Sequence, residues 1–125
     1  MAQEFHSDCA KISNNFPHKF YYLADQLKRA SLSVILNIAE GSGKESDKDF
    51  RRYLMNSLGS INEAAACLDV AYRQKLIVNE KFEKLISNCW ELKNRLGFLA
   101  KKIKLQLADS SFAGSRSVES KNKGV

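Results

Sequence analysis

Apolar residues recur along this chain at intervals of three and four, the period of an amphipathic helix, and they do so in four separate segments. In the first, Phe5, Cys9, Ile12 and Phe16 share one helical face. Asn14, Asn15 and Pro17 end that segment, and Pro17 suits the first turn of the next helix. The second stripe is Phe20, Leu23, Leu27, Ala30, Val34 and Ile38, with Asp25, Lys28 and Arg29 facing outward. A third helix opens at Ser46, which can cap it, with Asp49 three residues on as in a capping box. Its stripe is Phe50, Leu54, Ser57/Leu58, Ile61, Ala65, Leu68 and Tyr72. The fourth begins near Asn79, a good N-cap, and carries Phe82, Leu85, Cys89, Leu92, Leu96, Leu99 and Ile103 in unbroken three–four alternation. From Asp109 the chain is rich in Ser, Gly and Lys. The pattern predicts an all-α, antiparallel up-and-down four-helix bundle with a short first helix over residues 1–108. A disordered basic tail is expected over 109–125.

The link between the second and third helices raises a chemical question. Gly41-Ser42-Gly43-Lys44 follows the apolar run "SVILNIA", and strand, glycine-rich turn and lysine is how a phosphate-binding loop begins. Such a loop needs its first glycine at 38, where Ile38 stands, and a hydroxyl after the lysine, where Glu45 stands. The apolar run also closes a helical stripe too long for one strand. Gly41 and Gly43 therefore read as a C-cap and a turn, with the chain reversing at Gly41–Glu45 and again near Gln74–Asn79. Asn37 and Glu40 interrupt the apolar run; they read either as a binding site or as a local structural pair, and the residue types favour the structural role, with Glu40 facing the amides of the third helix or pairing with Arg51 or Lys48.

Composition fits this picture. At 125 residues and 44% hydrophobic the chain suits one compact domain, and a single proline favours long helices. Cys9, Cys67 and Cys89 are odd in number and form no CxxC pair, as expected of reduced thiols in a cytoplasmic protein. The N-terminal segment lacks the pattern of a secretory signal, and no apolar run reaches membrane-span length, so no membrane partner is expected. His6 and Cys9 make half a metal site at most, and His18 stands alone. No Glu-x-x-His, CxxC or HExxH occurs, so no metal and no cofactor is expected, and no catalytic grouping emerges.

The pieces Phe16-Pro17, "QLKRA" at 26–30, "NIAEGSG" at 37–43, "DFRRYL" at 49–54 and "LGSINE" at 58–63 together resemble the small four-helix bundle proteins first noticed inside 23S ribosomal RNA intervening sequences. The resemblance spans roughly residues 16 to 103. It implies structural roles for Arg29, Asn37, Glu40, Gly41 and Gly59. That family is similar to the accessory protein of diversity-generating retroelements, a homopentameric barrel that binds nucleic acid and a reverse transcriptase. The resemblance thus implies a homo-oligomer, a pentamer by analogy, and no catalytic site. The chain departs from the family pattern in its shorter first helix and in Ile35, where the family often has proline.

Net charge is +6, which permits a polyanionic partner. The short link between the third and fourth helices makes them antiparallel neighbours, so Lys44, Lys48, Arg51 and Arg52 are expected at the same bundle end as Lys101, Lys102 and Lys104. Seven cations there can meet RNA or DNA phosphates, while an Asp47–Arg51 pair would only satisfy the helix surface. Base stacking is not expected, because Phe50 and Tyr53 are assigned to the core. Gly59, unfavourable in mid-helix, is expected to admit a close helix from the same or another subunit. Trp90, Phe98 and Leu105 fall off the main seam and point to a partner surface. Two functions fit: a homo-oligomer that binds nucleic-acid backbone, and a protein-interaction scaffold.

Overall fold

The computed structural model describes residues 1–113 of the chain. Helix α1 spans Ala2–Ser13, a 3-10 turn covers His18–Phe20, and α2 spans Tyr21–Ser42; α3 and α4 span Asp47–Arg73 and Asn79–Ala113. No strand occurs among the described residues. Each helix packs on its sequence neighbour, α1 also meets α4, and the diagonal pairs do not bring their backbones close. This is the expected up-and-down bundle. Helix α4 continues through Asp109–Ala113, past the boundary drawn at 108. The rest of the expected tail, 114–125, lies outside the described residues.

The predicted stripes supply most of the core, although Tyr72 of the α3 stripe is exposed and Leu58 and Ala65 are half-buried. Phe5, Cys9 and Ile12 of α1 meet Leu23, Leu27, Ala30 and Val34 of α2, Ile61 and Leu68 of α3, and Leu85, Cys89 and Leu92 of α4. Burial of that kind supplies most of a helix's stability, since isolated helices are marginal in water. Burial also pushes the thiols of Cys9 and Cys89 up from 9.0 to about 12, so both stay protonated at neutral pH as core groups.

Helix α3 adds a stripe of small residues. Ser57, Ser60, Ala64, Cys67 and Ala71 recur at three–four spacing on one face, and all are buried. Ser57 donates to the Val34 carbonyl at 2.9 Å, and Ser60 donates to Ser33 Oγ at 2.8 Å. Their hydroxyls are thus satisfied by α2, at a helix separation that large side chains would not permit.

Helix α1 is about 18 Å long, against about 52 Å for α4. Its polar ties to α2 are His6 Nδ1, 2.8 Å from Ser31 Oγ, and Asn14 Oδ1, which accepts from Lys28 at 2.6 Å. Beyond its reach lies a second cluster, Leu54, Ala100 and Ile103, built by α3 and α4 with no α1 residue. Leu96 and Leu99 belong to the predicted α4 seam, yet they are only half-buried at this thinner end.

Both connections differ in detail from expectation. Ser46 caps α3 as predicted, accepting from the Asp49 amide at 3.0 Å. Gly41, however, lies inside α2, and Gly43 ends that helix with an ordinary φ of −87°. Gly41 is needed for closeness: a Cβ there would meet Tyr53 Cβ at 2.7 Å and Phe50 Cδ1 at 3.0 Å. Asn79 is the first residue of α4 rather than its cap; its Oδ1 accepts from Tyr72 Oη at 2.9 Å. The α3–α4 turn places Lys75 at φ 63°, with Leu76 N–H donating to Ala71 O and Lys75 N–H to Tyr72 O. This is the two-bond helix ending in which glycine is usual.

Gly59 has no atom within 4 Å of where a Cβ would stand, so no helix of this chain approaches it. The two glycines therefore give opposite outcomes. In urea denaturation at one fixed protein concentration, Gly59→Ala is expected to stabilise the fold by about 1 kcal/mol. Gly41→Ala is expected to destabilise it by about 1–3 kcal/mol through overpacking.

Candidate nucleic-acid interface

The cationic end is built by the antiparallel pairing of α3 and α4. Arg51 Nε donates to the Ala100 carbonyl at 3.2 Å, which fixes the register and brings the start of α3 beside residues 101–104. Arg51, Lys101 and Lys104 line one groove on the outer side of α3 and α4. Its remaining walls are Met55, Leu58, Gly97, Ala100 and Leu105.

The other predicted cations lie elsewhere around this end. Lys44 pairs with Glu40 at 3.1 Å, and that contact holds its ammonium above the ordinary lysine range. Arg52 lies 3.8 Å from Asp49. Lys44 and Arg52 both approach the Tyr53 ring, at 5.5 and 4.6 Å from its centroid. Lys102 follows Lys101 by about 100° around α4, so it points away from the groove. Lys48, Lys101, Lys102 and Lys104 make no ion pair among the described residues. The seven cations thus share one bundle end, but they occupy several faces of it.

Several expected contacts take other forms. Arg51 bonds a backbone carbonyl of α4 in place of Asp47. Glu40 takes Lys44 rather than Arg51 or Lys48, because the turn that ends α2, with Lys44 N–H on Gly41 O, folds the lysine back beside it. Asn37 turns back on its own helix, donating to Ser33 O at 2.9 Å and to Ser33 Oγ at 3.0 Å. Arg29 pairs with Asp25 at 2.8 Å. Tyr53 was expected in the core; it is half-buried, with its ring beside the two cations.

A second basic cleft was not evident from sequence. Lys11 of α1 meets Lys81 and Lys84 of α4 at the opposite bundle end, with Asp8 and Asn15 beside Ile12 and Leu85. Residues so far apart in the chain carry no joint periodic signal; only the α1–α4 contact unites them.

No group of three or more His, Cys, Asp or Glu side chains able to hold a metal occurs among the described residues. His6 is engaged with Ser31. No helix among the described residues is long and apolar enough to cross a membrane.

A family model described as 23S rRNA-intervening sequence protein matches residues 1–97, which include α1, α2, α3 and more than half of α4. The chain belongs to that family. The match takes in the short first helix, which the resemblance by motif left out. It contains Arg29, Asn37, Glu40, Gly41 and Gly59 and stops before Lys101. The contribution of Lys101, Lys102 and Lys104 therefore rests on the geometry of this chain. No curated protein matches it. The 23S rRNA-intervening sequence proteins are not a known enzyme class.

Arg51 and Arg52 are adjacent in sequence but unlike in role. Arg51→Gln removes a charge-assisted bond between helices and is expected to cost about 1–2 kcal/mol. Arg52→Gln removes an exposed contact and is expected to cost less than about 1 kcal/mol. Urea midpoints of the two variants measured side by side test this ordering.

Proposed function

We propose that this protein is a non-enzymatic, self-assembling helical bundle that holds RNA or DNA by its phosphate backbone through the basic end of α3 and α4. The observation that carries the reading is the set of four lysines, Lys48, Lys101, Lys102 and Lys104, gathered at one end without ion-pair partners among the described residues. Cations not committed to internal carboxylates are free to displace the counterions of a polyanion. Their spread over several faces suits a flexible or grooved backbone better than a single phosphate. Base readout has little support, because the nearest aromatic ring, Tyr53, already faces Lys44 and Arg52. Self-assembly is supported by the exposed Met55, Trp90, Phe98 and Leu105, and five copies by the resemblance to homopentameric relatives. Residence in the cytoplasm belongs to the same reading, on the strength of the three free cysteines.

The same exposed apolar side chains favour a second reading, a scaffold for another protein in which the charge serves only solubility.

A salt titration separates the two. The parent is expected to bind a single-stranded and a duplex oligonucleotide with an affinity that falls steeply with salt and varies little with sequence. Replacing Lys48, Lys101, Lys102 and Lys104 by Gln is expected to flatten the salt slope by about 0.9 unit per lost contact on the duplex. Replacing Lys11, Lys81 and Lys84 by Gln at the other end is expected to leave the slope unchanged. Equal slopes for the parent and the four-lysine variant, or no binding by the parent at physiological salt, would support the scaffold instead.

A further inference from the structure

The cleft between α1 and α4 lies at the opposite end of the bundle from the nucleic-acid interface, and its chemistry is different. Asp8 and Lys11 of α1, with Asn15 just beyond that helix, face Lys81 and Lys84 of α4 around a cavity of about 180 Å³. Ile12 and Leu85 complete the lining. Both belong to the core, at 8% and 4% exposed, so the cleft has an apolar floor beneath a charged rim.

The charges on this rim are uncommitted. Lys11, Lys81 and Lys84 make no ion pair among the described residues. Elsewhere local acids take their cations at i,i+4: Asp25 holds Arg29, Glu40 holds Lys44, Asp69 holds Arg73 and Glu91 holds Arg95. Lys84 stands in the same favourable register after Glu80, yet it lines the cleft instead. Asp8 precedes Lys11 by three residues and is also unpaired among the described residues. Like charges gathered over an apolar floor repel more strongly than in open water, and an anion from solution relieves them.

We propose that the α1–α4 cleft binds the phosphate monoester of a short polyol. Three ammonium groups against one carboxylate leave the lining with a net positive charge, which suits a phosphate monoester, close to a dianion at neutral pH. Lysines meet phosphate as point charges, whereas the planar fork that grips a carboxylate is arginine's, and no arginine lines the cleft. Asp8 repels the phosphate itself but accepts from a hydroxyl on the carbon chain, and the Asn15 amide serves either part. The chain carbons lie on Ile12 and Leu85. Size limits the rest of the ligand. The cavity is smaller than the roughly 300–1,000 Å³ of pockets for drug-sized molecules, and it is several times the roughly 30 Å³ of one water. An inorganic ion would leave the floor uncovered.

Such an ester exists as a free metabolite and as the 5′-phosphorylated end of a nucleic-acid chain, and the recognition chemistry is the same for both. Because the cleft joins the first helix to the last, a bound ester ties α1 to α4. Binding to the folded chain therefore raises its stability by mass action. The site is separate from the basic end of α3 and α4, so it stands or falls without the backbone-binding function.

Calorimetric titration of the full chain with ribose 5-phosphate at physiological salt tests the site. Saturable binding is expected, with inorganic phosphate weaker and ribose silent, and the ester is expected to raise the urea midpoint. Lys11→Gln and Lys84→Gln are each expected to weaken the ester about tenfold, as loss of a charge-assisted bond does. Replacing Lys48, Lys101, Lys102 and Lys104 by Gln is expected to leave it unchanged. Asp8→Asn is expected to narrow the preference for the ester over inorganic phosphate, because it removes both the hydroxyl acceptor and the repulsion. A 5′-phosphorylated trinucleotide, titrated into the four-lysine variant, separates the two sources. Tighter binding than ribose 5-phosphate places the ester on a chain end, and weaker binding makes it a free metabolite. The assignment is overturned by absence of saturable binding, by affinity unchanged in Lys11→Gln and Lys84→Gln, or by succinate binding as tightly as the ester. Both lysines are exposed. Should either variant lose the parent's helical circular dichroism, Lys81→Gln replaces it.

Discussion

Helices α2 and α3 approach one another along a strip of small side chains, and the other contacts of the bundle are arranged around that pairing. Ser57 and Ser60 place their hydroxyls on α2, and Gly41 lets its helix pass Tyr53 where a methyl group would collide. The strip combines two physical requirements. Close approach needs small residues, and buried hydroxyls need acceptors, which the Val34 carbonyl and Ser33 provide. Leucines on both faces would bury more apolar area but would force the helices apart. The pairing also makes α2 and α3 a platform: one side receives α1 and α4, and α2's outer face is left facing away.

The short α1 sets where that platform is fully covered. Where it reaches, four helices enclose Phe5, Leu27, Leu68 and Cys89; past its N-terminus α3 and α4 bury Leu54, Ala100 and Ile103 between them. The cations Arg51, Lys101 and Lys104 gather at this three-helix end. Lys48, Lys101, Lys102 and Lys104 make no ion pair there, while Glu40 and Asp49 are taken by Lys44 and Arg52. The seven cations at this end outnumber the carboxylates Glu40, Glu45, Asp47 and Asp49 beside them, which leaves a surplus of positive charge.

Much of the architecture was legible in the sequence, since burial follows helical period and each stripe keeps its period for several turns. Leu23, Leu27, Ala30 and Val34 are buried as the pattern required, as are Leu85, Cys89, Leu92 and Ile103. The antiparallel register was legible too, because a short link constrains it, and Arg51 meets Ala100, next to the Lys101–Lys104 segment expected at its end of the bundle. Features that depend on a competition were not. Glycine near a helix end serves either backbone freedom or close packing, and Gly41 read as the first although it serves the second. A carboxylate with several cations in range pairs with the nearest rotamer-accessible one, which spacing alone does not rank, so Glu40 went to Lys44. The Lys11, Lys81 and Lys84 cleft joins helices from the two ends of the chain, and nothing local in the sequence marks it.

If the α2–α3 strip is the interaction the bundle depends on, its backbone should be the last to open. Native-state hydrogen exchange measures this residue by residue. The slowest amides are expected in α2 and α3 around Val34, Ser57 and Ile61, with α1 exchanging faster, because it is the shortest α-helix and two polar ties hold it to α2. Amides of α1 that exchange as slowly as those around Ser57 would contradict the account and place the stability of the bundle in the four-helix core as a whole.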